Sequence, residues 1–89
     1  MAWKVELSPA ADRALDRLDP QQARRILKFL SGRLANLDNP RSIGQALQGQ
    51  RFGEFWKYRV GDYRLICKIE DVRILILVLQ IGHRREVYR

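Results

Sequence analysis

Hydrophobic positions change period twice along this chain, and the changes mark its elements. Trp3, Val5 and Leu7 alternate with Lys4 and Glu6, the period of a short half-buried strand. Ser8-Pro9 then reads as a helix start, with a hydroxyl for the N-cap and proline at the first helical position. Ala11, Ala14, Leu15 and Leu18 follow at helical spacing. Asp19-Pro20 repeats the start signal, and Gln22 stands three residues after Asp19 as in a capping box. Ala23, Ile26, Leu27, Leu30, Leu34 and Leu37 carry a period near 3.6. Two helices with almost no loop fold back as an antiparallel helical hairpin.

Asp38-Asn39-Pro40-Arg41 closes the second helix. From there to about Gly49 no period is visible, which predicts a surface loop turning at Gly44 and Gly49. Period two then returns. Trp56, Tyr58 and Val60 share one face of a strand, and Phe55, Lys57 and Arg59 share the other. Gly61-Asp62 supplies a tight turn. On the returning strand Tyr63, Leu65, Cys67 and Ile69 share one face, and Arg64, Ile66, Lys68 and Glu70 the other. Asp71 turns the chain into residues 73–79, whose unbroken apolar character predicts a strand buried on both faces, the central one of the sheet.

The expected architecture is therefore α+β in one domain, residues 1–89. It comprises an N-terminal strand, an antiparallel helical hairpin and a three-stranded antiparallel meander. The helices cover one sheet face, and the other holds Lys57, Arg59 and Arg64, with residues 82–89 alongside. Trp3 and Trp56 are assigned to the core, Tyr58 and Tyr63 to structural positions with their hydroxyls at the rim.

Charge sharpens this picture. The 89 residues carry a net charge of +7, spread as eight Lys/Arg against five Asp/Glu before residue 51 and nine against five after it. There is no basic arm, so the fold itself organises the excess toward a polyanionic partner. Arg13, Arg17, Arg24, Arg25, Lys28 and Arg33 lie largely off the helical apolar stripe, as a solvated face or a second contact surface for a large RNA. Cys67 has no partner for an intramolecular disulfide, residues 1–7 do not resemble a signal peptide, and the run 74–79 is too short to cross a bilayer. These features suit a soluble cytoplasmic protein with no membrane partner.

One histidine and one cysteine give no ligand set for a metal, the serines are not placed for a catalytic triad, and no P-loop is present. No cofactor is implied. What remains is a cationic and aromatic set: Lys57, Arg59, Arg64, Arg84 and Tyr88, with His83 and Arg85 nearby. Arginine offers a bidentate fork to phosphate oxygens, lysine a compact charge, and tyrosine a stacking face. Such a set serves either phosphodiester cleavage or phosphate binding without chemistry.

Leu47-Gln48-Gly49, the stretch from Trp56 through Tyr58-Arg59-Val60-Gly61-Asp62 to Leu65, and Ile81-Gly82-His83-Arg84-Arg85-Glu86-Val87-Tyr88 together resemble the RelE side of the RelE/ParE toxin superfamily. The resemblance spans the chain. It implies two helices on one face of a twisted antiparallel sheet, and a toxin of a type II toxin–antitoxin pair that cleaves mRNA in the ribosomal A site. It also implies catalytic roles for Lys57, Arg59, Arg64, Arg84 and Tyr88, and contacts to RNA or the ribosome from His83, Arg85, Arg89 and Arg51. Its implied partners are the ribosome with its mRNA and a cognate antitoxin that wraps the toxin, with operator DNA reached only through the antitoxin complex.

One position departs from the family pattern. Founding members carry lysine, a candidate general base, where this chain has Arg59, and arginine stays protonated in proteins. Either Lys57 takes that role or catalysis is mainly electrostatic. Two other functions fit the same fold: a ParE-like inhibitor of DNA gyrase, and a non-catalytic nucleic-acid-binding module.

Overall fold

A computed structural model describes residues 2–47 and 55–83. Strand β1 (Lys4–Leu7) leads into α1 (Pro9–Arg17) and α2 (Pro20–Lys28). Both helix starts form where the sequence predicts, but Asp19 bonds the N–H of Gln21 and not that of Gln22, as a capping box would. The Ser8 hydroxyl accepts from the Ala11 N–H at 3.1 Å and donates to the Leu79 carbonyl at 2.8 Å, so the N-cap also ties α1 to the sheet. The Asp19 carboxylate accepts from the Gln21 N–H at 3.1 Å and caps α2.

The second helix does not stay regular to Leu37. After Lys28 it widens into a π-helical turn, Phe29–Arg33, and then tightens into a 3₁₀ turn, Leu34–Asn36. The cause lies at Ser31-Gly32. The Ser31 hydroxyl donates to the Leu27 carbonyl at 2.9 Å, and Gly32 is a poor helix former. Asn36 Nδ2 also donates to the Gly32 carbonyl, at 3.1 Å. Leu30 and Leu34 stay buried across this change of winding.

The strands β2 (Gln45–Ala46), β3 (Phe55–Val60), β4 (Tyr63–Glu70) and β5 (Leu75–His83) complete a five-stranded sheet in the order β1-β5-β4-β3-β2. The meander β3-β4-β5 is antiparallel, as expected, and β1 joins β5 in parallel, Lys4 beside Leu75 and Leu7 beside Val78. Two expectations are corrected. The stretch read as a loop contains the edge strand β2, which pairs Gln45 with Lys57 and Ala46 with Trp56. The central strand is β4, because β1 extends the sheet on one side and β3 and β2 extend it on the other; β5 is interior but not central.

The core lies between the helices and one sheet face. Ile26, Leu30 and Leu34 meet Tyr58, Leu65, Cys67, Ile76 and Val78, with Trp3 and Trp56 packed at its margin. Each fully buried aliphatic side chain contributes about 1.5–3 kcal/mol of transfer free energy. A bulge between Ile66 and Cys67 offsets the register, pairing Ile66 with Gln80 and Cys67 with Val78. It leaves Leu79 as the extra residue of β5 and keeps Ile76, Val78 and Ile81 in the core. At the far end the Arg41 guanidinium grips Asp71 through two hydrogen bonds, 3.0 and 2.8 Å, and holds that carboxyl below the usual carboxylate range.

Candidate functional site

The β3–β4 hairpin sets the site. Gly61 takes φ +60° in the two-residue turn, and the resulting register places Arg59 directly opposite Arg64. Lys57 lies two residues along β3 on the same face, opposite Ile66. Across β4 the neighbour of Arg64 is Gly82, which brings no side chain. Lys57, Arg59 and Arg64 thus converge as their alternation predicts, and all three line one cavity of about 390 Å³.

A fourth cation enters that cavity from the helical layer. Arg33, at the end of the π-helical turn, lines it together with Phe29. No helical periodicity marked Arg33 as a site residue; in sequence it is one of six off-stripe basic residues. The available signal was the Ser31-Gly32 pair just before it, since π turns and glycine-loosened helix ends recur at functional positions. No acidic residue among those described lines the cavity.

Its walls are rigidly specified. Tyr58 is buried, not placed with its hydroxyl at the rim as expected, and the hydroxyl donates to the Pro40 carbonyl at 2.7 Å. Burial, aided by Cys67 and opposed by Arg41, pushes the Tyr58 phenol well above its ordinary range, so it is a neutral structural donor. Its ring packs against Phe29 at 6.0 Å between centroids. Gly44, at φ +88°, lies so close that a β-carbon there would come within 2.6 Å of the Tyr58 ring and 2.8 Å of the Lys57 carbonyl oxygen. Only glycine fits.

Arg64 carries the informative polar atom. Its Nη1 is buried and has no hydrogen-bond partner among the described residues. A buried guanidinium nitrogen without an acceptor costs about 1–3 kcal/mol. Directly across the hairpin stands another arginine, which raises the local potential further. An anion with several oxygens, such as a phosphodiester, would supply the acceptor and neutralise the cluster.

His83 lies elsewhere. It ends β5 opposite Tyr63, stacks edge-on against that ring at 5.8 Å, and lines a separate cavity with Arg17 and Leu18 of the α1 region. Arg84, Tyr88, Arg85, Arg89 and Arg51 lie outside the described residues, as do Gln48 and Gly49 of the first motif. Among the described residues no three His, Cys, Asp or Glu side chains gather as a metal-ligand group, and no helix is long and apolar enough to cross a membrane.

Two helices on one face of a mixed five-stranded sheet, with a cationic cavity at the β3–β4 hairpin, define a small α+β protein. Comparison with known proteins places it more closely. Residues 5–88 match the family model described as ParE toxin of type II toxin-antitoxin system, parDE. Over 89 residues, all of this chain and 99% of the relative, it is 30% identical to Toxin RelG of Mycobacterium tuberculosis (strain ATCC 25618 / H37Rv). It superposes with a TM-score of 0.83 and 27% identity on the toxin–antitoxin complex RelBE2 of Mycobacterium tuberculosis, covering 97% of this chain and 95% of that one. For the archaeal RelE-RelB complex from Pyrococcus horikoshii OT3 the TM-score is 0.77 at 26% identity, with 98% and 100% covered. The chain belongs to the RelE/ParE family of toxins of type II toxin–antitoxin systems.

Proposed function

We propose that this toxin is a ribosome-dependent endoribonuclease that cleaves mRNA in the A site and is neutralised by a cognate antitoxin. The observation that carries this reading is the buried, unpartnered Nη1 of Arg64 in a cavity shared with Lys57, Arg59 and Arg33. In the reaction the ribose 2′-oxygen attacks the adjacent phosphorus and its proton passes to a base. The bond to the 5′-oxygen of the next nucleotide breaks, and that oxygen takes up a proton. A 2′,3′-cyclic phosphate and a 5′-hydroxyl result.

Negative charge grows on the phosphoryl oxygens and on the leaving oxygen as this proceeds. Fixed cations aimed there stabilise the transition state more than the ground state. Arg64 holds the phosphoryl oxygens, and Arg59 and Arg33 supply further positive potential. Lys57 takes the 2′-hydroxyl proton, or the proton leaves to solvent and the site acts through electrostatics alone. Arg84 and Tyr88 complete the set in the family pattern, with Arg84 on the phosphate and Tyr88 against a base. No step calls on a metal.

The antitoxin assignment is supported by the related chains solved as toxin–antitoxin complexes. An acidic segment laid over the cationic cavity would block it and neutralise part of the +7 charge.

Toeprinting of an mRNA on programmed ribosomes, with and without the purified protein, tests the reading. New 3′ ends inside the A-site codon that vanish when ribosomes are omitted are the expected result. Intact mRNA on ribosomes with a vacant A site would reject it and direct attention to gyrase inhibition, read by a supercoiling assay.

A further inference from the structure

A second basic groove, of about 460 Å³, runs beside the first between α2 and the β3–β4 turn. Arg25, Lys28, Arg33 and Arg59 line it, with Phe29 and Gly61, and again no acidic side chain among the described residues does. All four cations are exposed, and none forms an ion pair among the described residues. The two cavities share Phe29, Arg33 and Arg59, so they form one continuous cationic path from Arg64 to Arg25.

The hairpin turn forms one wall of the path. The Arg25 guanidinium rests on Gly61, where a β-carbon would lie only 2.9 Å from Nη1. The approach sets the Arg25 guanidinium against the turn that carries Arg59. Arg25 and Lys28 occupy the last turn of α2, where the helix macrodipole favours positive charge. The dipole accounts for their tolerance there, but not for Arg33 and Arg59 converging on the same groove.

We infer that this groove holds the phosphodiester backbone of the substrate RNA strand next to the scissile phosphate, as an extended subsite of several nucleotides. The inference rests on the nuclease reading for its name of the strand. Its physical content is a continuous run of cations with an aromatic ring at the junction, the combination that tracks single-stranded nucleic acid. The groove's opening into the cavity of Arg64 favours the strand being cut over ribosomal RNA bound independently.

The test uses non-cleavable 2′-O-methyl RNA of about three and about ten nucleotides, bound to the wild-type protein and to Arg25→Ala/Lys28→Ala. Wild type gains affinity with length. The double variant keeps its affinity for the short strand and loses the gain for the long one. Its salt dependence for the long strand falls by about 1.4 in slope, two phosphate contacts at about 0.7 each. An unchanged thermal midpoint shows that the fold is intact, and Arg25→Lys/Lys28→Arg retains the wild-type slope.

An unchanged slope, or no gain with length in wild type, overturns the inference. Normal oligonucleotide binding with weakened ribosome binding assigns the groove to ribosomal RNA instead. Normal RNA binding with lost affinity for a polyglutamate peptide assigns it to an acidic protein. Toeprinting keeps the two readings separate: cleavage without a slope change removes the groove alone, and a slope change without ribosomal cleavage removes the nuclease alone.

Discussion

Arg59 and Arg64 stand directly opposite each other across the β3–β4 hairpin, and Nη1 of Arg64 is buried without an acceptor among the described residues. Like charges directly opposed in a sheet destabilise it by about 0.2–1 kcal/mol. The pair is therefore a cost to the protein that a bound phosphate would remove. Arg64→Ala is expected to leave thermal stability unchanged or slightly raised, while A-site cleavage falls by about 10²–10³. Arg84→Ala is expected to abolish growth arrest as well. Toxicity in cells and toeprint yield are the measurements; a fully toxic double variant would remove both residues from the site.

Lys57 and Arg59 share a face but differ in chemistry, since only lysine gives up a proton readily. Lys57→Ala is expected to slow single-turnover cleavage more than Arg59→Lys. The reverse order would reject Lys57 as the base.

The Gly44–Tyr58–Pro40 packing makes the cavity wall a stability feature. Tyr58→Phe removes the donor to the Pro40 carbonyl and is expected to cost about 1–3 kcal/mol, by leaving a buried acceptor unpaired. Gly44→Ala forces a β-carbon toward the Tyr58 ring and the Lys57 carbonyl in a left-handed conformation, and is expected to cost at least as much. Because Lys57 is displaced too, the alanine variant should also lose cleavage. Urea denaturation and toeprinting read the two effects separately.

Alkaline pH should destabilise the fold through two buried groups. Burial pushes the Cys67 thiol from its ordinary 9.0 up to about 12, and raises the Tyr58 phenol from 10.0. Both groups stay protonated longer in the native state than in the unfolded chain. Their contribution is complete below about pH 9 and is lost as pH rises toward the native values. The urea midpoint should fall over that window. In Cys67→Ala, which starts less stable by the lost packing, the decline beginning near pH 9 should be shallower; an identical slope would exclude the thiol.

The hairpin and its three cations were legible in the sequence because period-two alternation and a two-residue turn leave one register, and a slip of one residue would turn Tyr58 out of the core. The two helix starts were legible for a similar local reason, since Ser8 and Asp19 bond to their own helices within three residues. Strand β2 was not, because two residues have no period and its pairing with Lys57 and Trp56 exists only once the sheet is assembled. Nor was the place of β5 beside β4 rather than at the centre, which depends on the long-range parallel pairing with β1.

The sequence by itself determined the helix starts, the β3–β4 hairpin with its two faces and the convergence of Lys57, Arg59 and Arg64, because each depends on neighbours a few residues apart. Only the tertiary structure decided that Arg33 joins them, that Arg25 lies over Gly61, and that Nη1 of Arg64 is buried without an acceptor among the described residues. Those relationships arise where a helix end with altered winding meets the sheet. They are set by packing between layers, which no local period encodes.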